Sequence, residues 1–334
     1  MTISIDLGPD SYDIVLEAGC LRKAAELLNL DRRVLIVTDD GVPETYANTL
    51  ARQCAHPLVR TVPGGEGSKC LAVWEELLKA MLEAGFTRGD CVCAVGGGMV
   101  GDLAGFAAAS YMRGVDFYNI PTTVLSQVDS SIGGKTAVNL GGVKNIAGAF
   151  WQPKRVLVDL DTLATLPARQ ISSGLAEAVK AGLIADRALF ELFETGDIAE
   201  NMERIIADSL RMKKAVVEQD ERERGLRRSL YLGHTIGHGI ESVTSLTHGE
   251  SVAVGMLPMC APDVRARLLP VLEKLGLPRS VRADPEAVYA ALLHDKKSAG
   301  GRITVVKVER PGSFVLERVA PEALRPLIDM VVKK

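Results

Sequence analysis

Cys91-Val92-Cys93-Ala94-Val95 runs directly into Gly96-Gly97-Gly98-Met99-Val100-Gly101, and the reading of this stretch decides the fold. An unbroken apolar run bounded by glycine describes a strand buried on both faces, and the glycines match G-x-G-x-x-G. Residues 102–112 then continue as a helical pattern, so the motif sits at a strand-to-helix turn. Working outward, residues 2–6 and 12–16 read as a hairpin around Gly8-Pro9, and residues 33–38 and 58–62 read as further strands with helical segments between them. Residues 69–86 place Val73, Leu77, Met81 and Leu82 at helical spacing. Strands alternating with helices predict a Rossmann-like α/β domain with a parallel sheet over residues 1–160. Beyond that point residues 171–184, 197–218 and 230–243 read as helices, with one late β-like run at 303–308. The expectation is a mostly α-helical domain over residues 161–334 that binds metal and substrate, with the active site in the interdomain cleft.

Composition narrows the classes. The 334 residues carry 39 Lys+Arg and 42 Asp+Glu, a formal charge of −3, which argues against a nucleic-acid binder. The longest uncharged apolar runs, 103–112 and 251–262, fall far short of the roughly 18 residues a membrane span needs. No basic segment followed by an apolar core opens the chain, so a cytoplasmic enzyme is expected. The six cysteines form no CxxC pair, which fits reduced thiols and not a thiolate zinc site.

Glycines at the turn after residue 95 allow backbone N–H groups and a helix N-terminus to approach a pyrophosphate. Alone, the motif is equally a tight turn with nothing bound. A second turn, Pro63-Gly64-Gly65-Glu66-Gly67-Ser68-Lys69, offers a carboxylate for ribose hydroxyls and an ammonium for phosphate, or is an ordinary polar loop. Pro121-Thr122-Thr123 ends a third strand. Three compatible strand ends favour a dinucleotide.

Three of the five histidines, His234, His238 and His248, fall within 15 positions. His234 and His238 are four apart and share a helix face. Glu177 is a lone acid in an apolar helical stretch, where burial costs free energy unless the carboxylate is paired or metal-bound. Two imidazoles and a carboxylate make an open catalytic zinc arrangement. The alternative is that the histidines satisfy carbonyls while Glu177 pairs with Lys180 at i,i+3. Arg113, Lys135, Lys144, Lys180, Lys213 and Arg227 lie in or beside these segments and suggest a small polyanionic ligand. Lys135 and Lys144 read as members of glycine-rich loops. Arg113, ending the helix begun at the glycine turn, suits bidentate grip of a carboxylate.

With these residues assembled, the chain resembles the 3-dehydroquinate synthases of the sugar-phosphate cyclase superfamily. The likeness covers nearly the whole chain and is densest in GGGMVGDLAGFAAASYMRG, IPTTVLSQVDSSIGGKTAVN, VKNIAGAFWQP, SGLAEAVKAGLI, DERERGLRRSLYLGHTIGHGIE and HGESVAVGM. It implies a shikimate-pathway enzyme converting 3-deoxy-D-arabino-heptulosonate 7-phosphate to 3-dehydroquinate and phosphate with bound NAD. By similarity, Glu177, His234 and His248 hold zinc or cobalt. Glu66, Lys69, Gly98, Met99, Val100, Gly101, Asp102, Thr122, Thr123, Lys135, Lys144, Thr162 and Thr165 serve NAD. Arg113, Asp129, Lys135, Asn145, Lys180, Lys213, Arg227, His238, Lys296 and Lys297 form the substrate shell. A homodimer with a small sugar phosphate as its ligand is implied as well.

Three positions depart from the resemblance: Tyr231 stands where an asparagine is usual before the first ligand histidine, Gln170 replaces an acid, and Gly41 replaces an asparagine. The segment between Glu241 and His248 is also shorter than usual. Tyr231 keeps a 2-deoxy-scyllo-inosose synthase-like enzyme as the alternative. A metal-dependent polyol dehydrogenase, or a non-catalytic NAD binder, has less use for so many cations beside an open metal site.

Overall fold

The computed structural model describes residues 1–295 and 301–334, the side chains at 294 and 295 excepted. Lys296 and Lys297 therefore lie outside the described residues. The chain divides into two compact units, Met1–Pro167 and Ala168–Lys334.

The first unit contains β1 (Thr2–Ile5), β2 (Tyr12–Leu16), α1 (Ala24–Leu27), β3 (Arg33–Asp39), α2 (Glu44–Ala51), β4 (His56–Val62), α3 (Leu71–Glu83), β5 (Cys91–Gly96), α4 (Gly98–Ser110), β6 (Asp116–Pro121), β7 (Lys135–Leu140), β8 (Val143–Phe150) and β9 (Arg155–Val158). Its main sheet has the order β1-β2-β9-β6-β5-β3-β4. The pairs are parallel except β1 with β2, the hairpin expected at Gly8-Pro9. Every residue of β5 is buried. Cys91, Cys93 and Val95 face a layer with Leu21, Ala24 and Leu50, while Val92 and Ala94 face a layer with Leu77, Met81 and Leu103. That two-sided burial is why the strand reads as an uninterrupted apolar run. Each large apolar side chain so buried contributes about 1.5–3 kcal/mol. The chain winds outward from β3 to β4 and in the other direction from β5 to β6. The switch point of this doubly wound sheet thus lies at the carboxyl ends of β3 and β5, where such sheets bind ligands.

Three sequence expectations shift locally. The helix after the glycine turn begins at Gly98 and ends at Ser110, before a single tight turn over Tyr111–Arg113. Leu82 is 70% exposed; the buried face of α3 is Leu77, Ala80 and Met81, because Leu82 falls one position past it on the helical wheel. Lys135 and Lys144 stand on strands, not in loops. Antiparallel β7 and β8 form a hairpin whose tip, Gly141-Gly142, has φ of 60° and 78°, the left-handed pair a two-residue hairpin turn requires.

The second unit contains α5 (Ala168–Ala185), α6 (Arg187–Thr195), α7 (Met202–Gln219), α8 (His234–Val243), α9 (His248–Met256), α10 (Pro262–Lys274), β10 (Val281–Arg282), α11 (Pro285–Asp295), β11 (Ile303–Arg310), β12 (Ser313–Val319), α12 (Arg325–Val331) and β13 (Val332–Lys333). From Ser173 to Ile184 every residue of α5 is buried, and α6, α7 and α9 pack around it. The late β-like run becomes β11, paired antiparallel with β12. The helix expected from residue 230 begins only at His234; residues 226–231 form a 3₁₀ turn, and Gly233 at φ 81° separates it from α8. A Cβ at Gly233 would lie 2.6 Å from the Val252 carbonyl oxygen, so this glycine lets α8 start against α9. No helix among the described residues is long and apolar enough to cross a membrane.

Candidate active site

The glycine turn of the first unit is built by close packing. A Cβ at Gly96 would meet Val100 at 2.7 Å, one at Gly98 would meet Ser130 Oγ at 2.8 Å, and one at Gly101 would meet the Asn119 amide at 3.2 Å. These glycines let α4 begin immediately beyond β5 and lie close on β6. No side chain caps the first turn of α4, so its N–H groups keep the capacity to bind an anion. Beside the turn, Ser130 Oγ is buried with no hydrogen-bond partner. Ser130 closes a π-helical turn, Ser126–Ser130, which also carries Asp129. Thr122 and Thr123 precede it; the Thr122 N–H donates to the Gly96 carbonyl at 2.9 Å, and Thr123 Oγ1 lies 2.8 Å from Ser126 Oγ.

The second turn adds a charged network. Lys69 is only 4% exposed, and its ammonium donates to Asp102 on α4 at 2.5 Å, with Glu66 3.8 Å away. The Asn139 amide donates to Glu66 at 3.0 Å, and its carbonyl oxygen accepts the Asn145 N–H at 2.9 Å. Asn145 holds φ of 56°, a left-handed conformation asparagine tolerates better than most residues. Asn139 thus ties three residues singled out in the sequence, Glu66, Lys69 through its backbone, and Asn145. Its side chain gives no sequence signal, because its role depends on strand pairing. Lys135, Lys144 and Asn145 are all exposed on the hairpin. Thr162 is 1% exposed and internally bonded, donating to the Asp159 carbonyl at 2.7 Å and accepting from Gln127 at 3.1 Å. Thr165 Oγ1 lies 2.9 Å from the Tyr46 hydroxyl.

Arg113 is not brought to this end of the sheet within the chain. α4 runs 13 residues, about 20 Å, back from the glycine turn. Arg113 follows it at the amino end of β6, exposed, with φ of 72° after Met112 at 50°. Gly41 is held in a turn by Asp39, which accepts its N–H at 2.8 Å, and Gln170 is exposed at the start of α5.

In the second unit Glu177, His234 and His248 converge, with ligand atoms within 4.8 Å of one another. Glu177 Oε1 lies 3.6 Å from His234 Nε2 and 3.5 Å from His248 Nε2, and the Lys180 ammonium contacts Oε2. Glu177 is 2% exposed, and neither of its oxygens has a well-formed hydrogen bond. The rings are set from behind. His234 Nδ1 lies 3.1 Å from the Leu232 carbonyl, and His248 Nδ1 lies 3.1 Å from Glu241 Oε2. A carbonyl and a carboxylate only accept, so each Nδ1 carries the proton, and for a neutral ring the Nε2 lone pair faces Glu177. Lone pairs and a buried carboxylate pointing at one spot need a cation there. The donor set therefore fits a divalent metal.

The electrostatics agree. Burial raises the Glu177 carboxyl, but Lys180 and the two imidazoles outweigh it and hold the group well below the usual carboxylate range. Burial, with Lys180 and the other histidines, drives His234 well below its ordinary value. Burial also opposes charge on His248, yet Glu177 and Glu241 together raise it to about 9. A proton on His248 holds the place between Glu177 and the rings that a metal would take.

His248 is the first residue of α9, and the start of that helix is fixed to α5. Thr247 caps it in a reciprocal box with Glu250, whose carboxylate also takes two 2.7 Å hydrogen bonds from Arg169. Ser173, one helical turn before Glu177, accepts the Thr247 hydroxyl at 2.9 Å and the Gly249 N–H at 3.2 Å. A Cβ at Gly249 would lie 1.8 Å from the Ser173 carbonyl oxygen. His238 lies beside these two histidines, with its ring 5.3 Å from His234 and 5.9 Å from His248, and Tyr231 stands edge-on to His234 at 5.7 Å.

Buried cations come from the same part of this unit. Lys180, Lys213 and Arg227 are 1%, 5% and 2% exposed and come from α5, α7 and the 226–231 turn, which pack on one another. The Asp220 carboxylate accepts N–H groups of Arg224, Gly225 and Arg227 at 2.7–2.9 Å, and fixes the loop that presents Arg227.

The chain as a whole is similar to known proteins. Residues 59–173 match the model of the 3-dehydroquinate synthase N-terminal family, and residues 174–298 that of the 3-dehydroquinate synthase C-terminal family. The chain is 41% identical to the 3-dehydroquinate synthase of Caulobacter vibrioides, covering 98% of both chains. It is 43% identical to that of Halorhodospira halophila, over 96% of both. Among solved structures it is similar to a 2-deoxy-scyllo-inosose synthase complexed with carbaglucose-6-phosphate, NAD+ and Co2+, at 25% identity and a TM-score of 0.91 over 99% of this chain and 100% of that one. It is likewise similar to the 2-epi-5-epi-valiolone synthase of Streptomyces hygroscopicus with NAD+ and Zn2+ bound, at 28% identity and a TM-score of 0.86 over 96% of both. The fold is thus common to several cyclases, whereas these two full-length relatives above 40% identity are both 3-dehydroquinate synthases. On both family models and on relatives that span its length, the chain belongs to the 3-dehydroquinate synthase family.

Proposed function

We propose that this chain converts 3-deoxy-D-arabino-heptulosonate 7-phosphate to 3-dehydroquinate and phosphate, in the cytoplasm and as a homodimer. The observation that carries the reading is the convergence of Glu177, His234 and His248 with Lys180 against them, in a unit that also buries Lys213 and Arg227 and a chain whose other unit offers an uncapped helix N-terminus behind a glycine turn. When bound, NAD supplies a hydride acceptor that is restored within the turnover, and zinc or cobalt supplies Lewis-acid polarisation of the reacting oxygen.

The chain's own residues do the rest. The Gly98-Met99-Val100-Gly101-Asp102 turn takes the pyrophosphate, and Glu66, Lys69, Thr122, Thr123 and Thr165 position the nucleosides, with Thr162 bracing the loop beneath them. Lys180, Lys213 and Arg227 hold the substrate's phosphate and carboxylate in a water-poor setting, where ion pairing is strong. Lys135, Lys144 and Asn145 offer polar contacts from the hairpin, and Asp129 and His238 supply proton-bearing groups. Oxidation of a secondary alcohol makes the adjacent C–H acidic enough for phosphate to leave. Holding the later enol and ketone in one molecule turns the closing aldol step into an intramolecular one.

A substrate panel tests the proposal. The purified protein should release inorganic phosphate from the heptulosonate phosphate with no net change at the nicotinamide band. Phosphate released only from a hexose phosphate would assign it to the inosose branch. Accumulating reduced nicotinamide would assign it to the polyol dehydrogenases. The lower identity to the inosose enzyme, 25% against 41–43%, favours the first outcome.

A further inference from the structure

His248 stands between two carboxylates, and only one of them can reach a cation bound at its Nε2. Glu177 Oε1 lies 3.5 Å from Nε2, whereas Glu241 Oε2 lies 3.1 Å from Nδ1, on the other side of the ring. Glu241 belongs to α8 and follows His234 and His238 at i+7 and i+3, so one helix face carries all three. The same helix therefore supplies one ligand, His234, and the acceptor that turns the ligand of the next helix. The two ligand rings are oriented differently, because a neutral carbonyl, Leu232, holds His234 while a carboxylate holds His248. Glu241 is mostly buried, with 18% of its side chain exposed, so water competes little for that hydrogen bond.

We propose that Glu241 is a positioning residue for the metal centre. Its carboxylate fixes the Nδ1–H tautomer of His248, aims Nε2 at the site shared with Glu177, and makes the imidazole a stronger donor. This rests on the metal-centre reading above. A ligand that follows the preceding helix after a four-residue connection, residues 244–247, has no other side-chain restraint of this kind that the structure describes. Orienting partners of this type typically alter metal affinity about 10–100-fold.

The test is zinc and cobalt affinity, measured by competition with a chelator on the full chain, with the visible spectrum of the cobalt form. Glu241→Ala should weaken binding about 10–100-fold, and Glu241→Gln, which keeps an acceptor without the charge, should fall between it and the unchanged chain. At saturating cobalt the spectrum should match the unchanged protein, since the ligands are the same, and NAD affinity should not move. Unaltered metal affinity in Glu241→Ala would overturn the proposal. So would a changed cobalt spectrum, or loss of one of two metal equivalents, because Glu241 would then be a ligand, as its grouping with His238 and His248 within 4.8 Å would allow. If Glu241→Ala does not fold, Glu241→Gln decides alone: affinity equal to that of the unchanged chain overturns the proposal. His248→Ala is the control that separates the two readings, since full metal affinity there sinks the metal centre itself.

Discussion

Glu177 is a carboxylate almost wholly removed from water, a placement that costs several kcal/mol unless cations answer it. Glu177→Gln keeps the shape and removes the charge. It should lower metal affinity by more than about 100-fold, beyond what loss of an orienting partner causes, and abolish turnover while the circular dichroism spectrum is unchanged. Metal content after dialysis checks it. Gly249→Ala should be harmful for a different reason, since the new methyl would overlap the Ser173 carbonyl oxygen at 1.8 Å. Pushing α9 from α5 should cost about 1–3 kcal/mol and lower both melting temperature and metal affinity. The convergence of Glu177 with His234 and His248 was legible in the sequence because the histidines cluster and Glu177 is a lone acid in an apolar helix. Asn139, Asp220 and Glu241 were not, because an amide or carboxylate at an ordinary position acquires meaning only when tertiary packing brings its partner.

α9 begins where its cap dictates, and its first residue is a candidate ligand, so helix start and site geometry are the same problem. Thr247→Ala removes the cap from the Glu250 N–H and the hydrogen bond to Ser173, and should cost about 1 kcal/mol in thermal unfolding. Its effect on metal affinity should exceed that of Arg169→Ala, which only loosens Glu250. The main elements were legible because β5 is buried on both faces and the helices carry clear periodicity. The hairpin of β7 and β8 was not: with β8 exposed along most of its length, neither strand shows the alternation of a half-buried sheet, and its glycines read as loop. The buried face of α3 likewise could not be separated from Leu82 by spacing alone.

Across the whole molecule, acid should act first on carboxylates that tie the sheet together. Asp90 precedes β5 and accepts the N–H groups of Thr87 and Arg33 and the Thr87 hydroxyl at 2.6–3.0 Å. Burial raises its carboxyl, but these donors outweigh it and hold the group below its usual value. Because the folded-state value is depressed, the unfolded chain binds the proton more tightly. The stabilisation is therefore full above about pH 4 and fades as pH falls toward the folded-state value. Asp90→Asn should thus lower stability by about 1–3 kcal/mol at pH 7, and the gap to the unchanged protein should narrow in denaturant titrations below pH 4. The composition and the run of motifs reported the enzyme class. They put Arg113 at the end of the helix begun at the glycine turn, but not at the amino end of β6, because that placement follows from the direction of α4 along the sheet. Isotope transfer separates a transient oxidation reversed at a single carbon from a net oxidation. With deuterium on the carbon bearing the oxidised secondary alcohol, the dehydroquinate formed should keep the label at that carbon while bound NAD stays oxidised at completion. Label lost to solvent, or deuterated reduced nicotinamide accumulating with product, would contradict that reversal.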